Sequence, residues 1–125
     1  MARQTFLIIA ISLSLLAVTP AAATNYPIDG RWGVTASTQK GPIDCSKLRV
    51  ITFNGSQRTD SGGGVPAFRN HSIQSNGSSD FRIVDVFTTG QISNGQAKYT
   101  LKIIEADRVE INQQPGGVLK LRKCK

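Results

Sequence analysis

Side chains able to carry chemistry are sparse in this chain: one histidine, His71, two cysteines, Cys45 and Cys124, and eight carboxylates. A serine-type hydrolase needs a nucleophile on a strained turn with a histidine base beside it. His71 lies between Asn70 and Ser72 with no such turn near it, and is read as a surface residue. The aspartates Asp29, Asp44, Asp60, Asp80, Asp85 and Asp107 fall on separate segments. None repeats the alternating oxygen-ligand spacing of a calcium loop. The cysteines have neither CxxC spacing nor a histidine cluster, so a redox centre or zinc site is not indicated. The reading is therefore a non-enzyme with no catalytic residue, no metal ligand and no cofactor. What Cys45 and Cys124 do offer is a disulfide, because only one pairing is possible and the chain carries an export signal.

That signal occupies residues 1–23. Arg3 precedes an apolar run over 6–18, and Ala21, Ala22 and Ala23 supply the small side chains that a signal peptidase inspects. Cleavage is expected after Ala23, and the run is too short for a permanent membrane helix. Removing 23 of the 125 residues leaves 102, a single β domain at 24–125 that gains from a covalent clamp because its core is small. The expected address is periplasmic or secreted, with no integral membrane span after processing.

The mature chain would hold 14 basic against 8 acidic residues, a net +6. Such a surface favours an anionic envelope component or an acidic protein as partner. Nucleic acid is not expected, since the few aromatics are not interleaved with basic residues as a stacking platform requires.

No amphipathic helix follows the leader, whereas Gly, Asn, Ser and Asp clusters punctuate short runs rich in Val, Ile, Thr and Phe. The first strand is expected over 28–36, with Ile28, Trp32, Val34 and Ala36 on one face. A second is expected over 46–53, a loop containing Gly62, Gly63 and Gly64 over 54–66, and a weak strand over 67–75. Asn94-Gly95 predicts a two-residue type I′ hairpin. Pairing Ser93 with Gln96 would then set Val84, Val86, Thr88, Gly90 and Ile92 inward against Ala97, Tyr99, Leu101 and Ile103, with Gly90 opposite Tyr99. Two three-residue turns, 105–107 and 114–116, would bring Leu101 and Ile103 beside Ile111 and Val109, and these beside Leu119 and Leu121. Lys102, Glu110 and Lys120 would form one outer row. Seven or eight strands joined this way predict a small antiparallel meander barrel, with a β-sandwich as the alternative.

The run Asp29-Gly30-Arg31-Trp32 with Arg122 in the last strand resembles the Gly-x-Trp signature of lipocalins and related barrels. That resemblance implies a tryptophan plug, Trp32, with Arg122 packed across its ring. Short exported inhibitors of bacterial metalloproteases are also similar in size and leader, but their disulfide joins two cysteines in the first half of the chain. Residues 29–45, with Gly41 and Asp44 before Cys45, resemble small exported alphaproteobacterial proteins of unassigned function. That likeness implies a periplasmic address rather than an activity.

In the expected hairpin register Phe81, Ile83, Asp85 and Phe87 face outward and form a candidate interaction surface. The sequence thus predicts an exported binding or interaction protein of inhibitor or accessory type. The alternative is a small lipocalin-like barrel holding an apolar molecule, lined by Trp32, Tyr99, Leu101 and Ile111.

Overall fold

The computed structural model describes residues 24–89 and 95–125. The expected leader therefore lies outside the described residues. Eight antiparallel strands follow in order: β1 (Gly30–Val34), β2 (Val50–Asn54), β3 (Gln57–Asp60), β4 (Ala67–Ser75), β5 (Asp80–Phe87), β6 (Gln96–Glu105), β7 (Arg108–Gln113) and β8 (Gly117–Lys123). Each pairs with the next, and β8 pairs back to β1, which closes a meander barrel. Closure gives each strand a hydrogen-bonded neighbour on both sides, so no strand lies at a free edge of the sheet.

Alternation along the strands sorts the inward set. Trp32, Ile51, Phe53, Ile83, Tyr99, Leu101, Val109, Ile111 and Leu121 pack as one buried cluster together with Tyr26 from the segment before β1. Trp32, Tyr99, Leu101 and Ile111 are each no more than 4% exposed, so they fill the interior against one another. The second half follows the expected register: Leu101 opposes Ile111, Ile103 opposes Val109, Ile111 opposes Leu119 and Val109 opposes Leu121. Lys102, Glu110 and Lys120 stand in one outer row. The turn at 114–116 has three residues as expected, with Gly116 at φ 142°. The β6–β7 turn is one residue shorter than expected, because Glu105 pairs with Arg108 and the odd residue is taken up as a bulge between Ile103 and Glu105.

β1 is shorter than the expected 28–36, β2 begins at Val50 rather than at residue 46, and two further expectations fail. The stretch 54–66 is not all loop, because β3 runs through it. Its alternation is inverted, with Arg58 and Asp60 buried and Gln57 and Thr59 exposed, so apolar periodicity cannot reveal it. The second failure is the register of the β5–β6 hairpin. Tyr99 stands opposite Ile83 rather than Gly90, an offset of seven residues. The Phe87 amide donates to the Gly95 carbonyl at 3.0 Å, so the connection is longer than two residues. Asn94, the other half of the expected turn, lies outside the described residues. An odd offset exchanges the faces of β5, and this change decides where its functional side chains point.

Cys45 and Cys124 are joined by a disulfide across a sequence separation of 79. It fastens the segment between β1 and β2 to the end of β8, where Ile43 also bridges to Cys124. Gly33 on β1 permits this approach. A Cβ there would come within 2.7 Å of Cys45 Sγ and 3.0 Å of Leu48 Cδ1, so only glycine lets the clamped segment lie so close.

Candidate functional site

Odd-numbered positions of β5 face inward, which takes Phe81 and Ile83 to the core and Asp85 to the barrel interior. Asp85 is fully buried, and stands between Asn70 on β4 and the small Ala97 on β6. Its carboxylate accepts from Tyr26 OH at 2.8 Å (Oδ1) and from Tyr99 OH and Arg58 Nε, each at 2.8 Å (Oδ2). Asn70 Nδ2 donates to Oδ1 at 3.3 Å and reaches the carbonyl of Ser72 at 3.2 Å. The Arg58 guanidinium is itself enclosed by aromatic faces, 3.8 Å from the Phe68 ring centre and 5.0 Å from that of Tyr99. Phe68 is in turn held edge-on by Phe87 at 5.3 Å.

The electrostatics of this knot follow from its dryness. Burial raises the pKa of both tyrosines, and the Asp85 charge adds to the effect because a phenolate would face a carboxylate. Burial alone would lower the Arg58 pKa, but the Tyr99 and Asp85 oxygens around it outweigh that and leave it raised. A desolvated ion pair is tolerated here because three further donors saturate the carboxylate. An aspartate held this way, with no solvent contact, cannot serve as a base toward an external substrate. Its chemistry is structural: it ties the N-terminal segment, β3, β4 and β6 to β5.

A second ion pair lies at another position on the barrel wall. Arg49 donates through Nε to Asp60 Oδ1 at 2.8 Å and through NH2 to Oδ2 at 2.6 Å, a bidentate fork, and the Gly62 amide adds a third donor at 3.0 Å. Burial raises the Asp60 pKa, but the Arg49 fork and the Gly62 amide outweigh it and hold the carboxyl below its ordinary value.

The structure therefore corrects the expected interaction surface. Phe81, Ile83, Asp85 and Phe87 share the inner face of β5, and none of the four is exposed. The parity signal was available, since three large apolar side chains accompany Asp85 and outweigh Val84 and Val86. The plug is corrected in part. Trp32 is buried, its Nε1 donating to the Asp29 carbonyl at 2.9 Å. Arg122 does not cross its ring: it stands opposite Gly33, one residue out of phase, while Lys123 opposes Trp32 and places its Nζ 5.7 Å from the ring centre. His71 is exposed at the bulge between Asn70 and Ser72, as a surface residue should be. Tyr26, Arg58, Asn70 and Tyr99 were not legible as one site, because the segments that carry them meet only in the closed barrel.

The exchange of faces creates a different outer surface on β4, β5 and β6. Cross-strand pairing sets Arg69, Val86 and Gln96 in one row, Ser72, Val84 and Lys98 in the next, and Gln74, Arg82 and Thr100 in the third. Arg69, Arg82 and Lys98 are exposed, whereas Val84 and Val86 are half-buried between them. Among the described residues, no carboxylate forms an ion pair with these three cations. An open groove of about 280 Å³ lies elsewhere, beside the disulfide, and is lined by Arg31, Asp44, Ser46 and Lys125 among others. Among the described residues no group of histidine, cysteine and acidic side chains could hold a metal ion. No protein-family model matches the chain, and no match was found among curated proteins or solved structures.

Proposed function

We propose that this is an exported interaction module, of inhibitor or accessory type, that docks an acidic protein surface on the outer face of β4, β5 and β6. The observation that carries the reading is the lattice of Arg69, Arg82 and Lys98 around Val84 and Val86, a basic rim about a small apolar centre. Electrostatic complementarity of this kind speeds encounter and sets orientation, while the apolar centre supplies area that leaves water. Export is supported by the Cys45–Cys124 disulfide, which suits an oxidising compartment. An outer-surface role is favoured over an apolar ligand chamber by the mutual packing of Trp32, Tyr99, Leu101 and Ile111 in one cluster.

The test is a photo-crosslinking residue at position 84 in the mature protein, exposed to envelope extract of the source cells. A single acidic partner should be captured, and capture should be lost in the Arg82→Glu, Lys98→Glu variant and at high salt. Equal capture by the charge-reversed protein would refute the reading.

A further inference from the structure

Among the described residues, one buried cation, Arg122, forms no ion pair. Arg122 faces outward from β8, yet it is only 2% exposed, because the chain leaving β1 crosses back over it. The Thr35 amide donates to the Lys120 carbonyl at 2.9 Å, the Gly41 amide to Asp107 Oδ2 at 2.9 Å and the Ile43 amide to the Lys123 carbonyl at 3.0 Å, which holds this covering segment down. Arg122 Nε donates to the Ser37 carbonyl at 3.0 Å, but its buried NH1 has no partner. Directly across the strand pair stands Arg108, so two like charges oppose each other, an arrangement that is unfavourable unless something negative lies between them.

Between the covering segment and the β7–β8 surface is a small cavity of about 40 Å³, lined by Thr35, Thr38, Arg108, Glu110, Lys120 and Arg122 among others. That volume exceeds the roughly 10–15 Å³ needed to admit a single water, which leaves room for a small polyatomic ion. Three cations and one carboxylate leave it with a net charge of +2. With Nε engaged by the Ser37 carbonyl, the unpartnered NH1 leaves part of a planar donor fork free for an oxyanion, and Thr35 and Thr38 line the same space.

We infer that the cavity beneath the 35–38 segment is a binding site for a doubly charged tetrahedral oxyanion, phosphate or sulfate, centred on Arg122 with Arg108 and Lys120 completing the charge. The anion takes the role that a carboxylate plays for Arg58 inside the barrel. It also fastens the covering segment to the barrel wall, since Ser37 and Arg122 are already joined. The shared chemistry allows two sources: the free ion, or a phosphate or sulfate monoester on a larger molecule.

The test uses the full mature, disulfide-bonded protein in anion-free buffer, titrated calorimetrically with sodium phosphate, sodium sulfate and phenyl phosphate against sodium chloride at matched ionic strength. Phosphate and sulfate should bind at one site and raise the melting temperature, with chloride giving no such rise. Tight binding of the inorganic ions with none of phenyl phosphate marks a free-ion site, whereas equal or tighter binding of phenyl phosphate marks a monoester site. Arg108→Gln should fold and bind about tenfold or more weakly, the loss of one charge-assisted contact. Arg122→Met should abolish binding while melting no lower than the anion-free parent, because it removes an uncompensated charge. If Arg122→Met does not fold, Arg108→Gln and Lys120→Gln carry the test. Equal effects of chloride and phosphate, or undiminished binding by Arg108→Gln, would overturn the inference.

Discussion

Replacing Asp85 with asparagine keeps the shape of the side chain and one acceptor oxygen but removes the charge that balances Arg58. Both partners are sealed, with side chains 3% and 0% exposed, so Arg58 would be left as an uncompensated buried cation. Breaking a buried pair from one side costs about 3–5 kcal/mol. A domain of this size has a total stability of roughly 5–15 kcal/mol. The substitution therefore removes about a fifth or more of what holds the barrel folded. With a urea slope of about 1–3 kcal/mol per molar, the midpoint should fall by about 2 M. Trp32, the only tryptophan, is buried in the barrel and reports unfolding by fluorescence. Arg58→Met should cost a similar amount, because it strands the carboxylate. The double variant should cost less than either single change, since no lone charge remains. Single costs below about 1 kcal/mol, or costs that simply add, would show that Asp85 and Arg58 do not act as a pair.

Three further outcomes follow from other parts of the molecule. Tyr26 and Tyr99 are the only tyrosines, and the folded pKa of each is raised above the unfolded value near 10. The stability they contribute is whole below about pH 10 and declines as pH rises toward their folded pKa values. Phenolate absorbance should thus appear cooperatively with alkaline unfolding; separate titration of either ring near pH 10 in the folded protein would contradict the buried network. Reducing Cys45–Cys124 opens a loop with a sequence separation of 79, and chain entropy predicts a loss of about 4–5 kcal/mol, measurable as a lower urea midpoint in dithiothreitol. Gly33→Val should force Cys45 and Leu48 away from β1 and cost about 1–3 kcal/mol, with faster reduction of the disulfide; an unchanged reduction rate would argue against the close approach.

The all-β class, the meander order and the disulfide were legible because each rests on a local rule or on simple counting. The β6–β7–β8 register was legible for the same reason: Leu101, Ile111 and Leu119 share one face only if the intervening turns have odd effective length. β3 was hidden because its buried residues are Arg58 and Asp60, which read as solvent-facing until their partners Asp85 and Arg49 arrive from elsewhere. The β5 face was misread because a strong dipeptide turn signal at Asn94-Gly95 outweighed the parity of Phe81, Ile83 and Phe87. The polar knot needs five segments at once, and no window of sequence contains more than one of its members.

The seam between β1 and β8 has a consequence for handling the molecule. Seven of the eight strand contacts join neighbours in the chain, while this one joins its two extremes, and the Cys124 amide extends it by donating to the Arg31 carbonyl at 2.9 Å. If the sulfur bridge beside that seam is never formed, the wall can part there and bare two unsatisfied ribbons, each a template for a neighbouring molecule. Producing the protein in a reducing cytoplasm should then yield insoluble cross-strand aggregates, so that the bond guards solubility as much as stability.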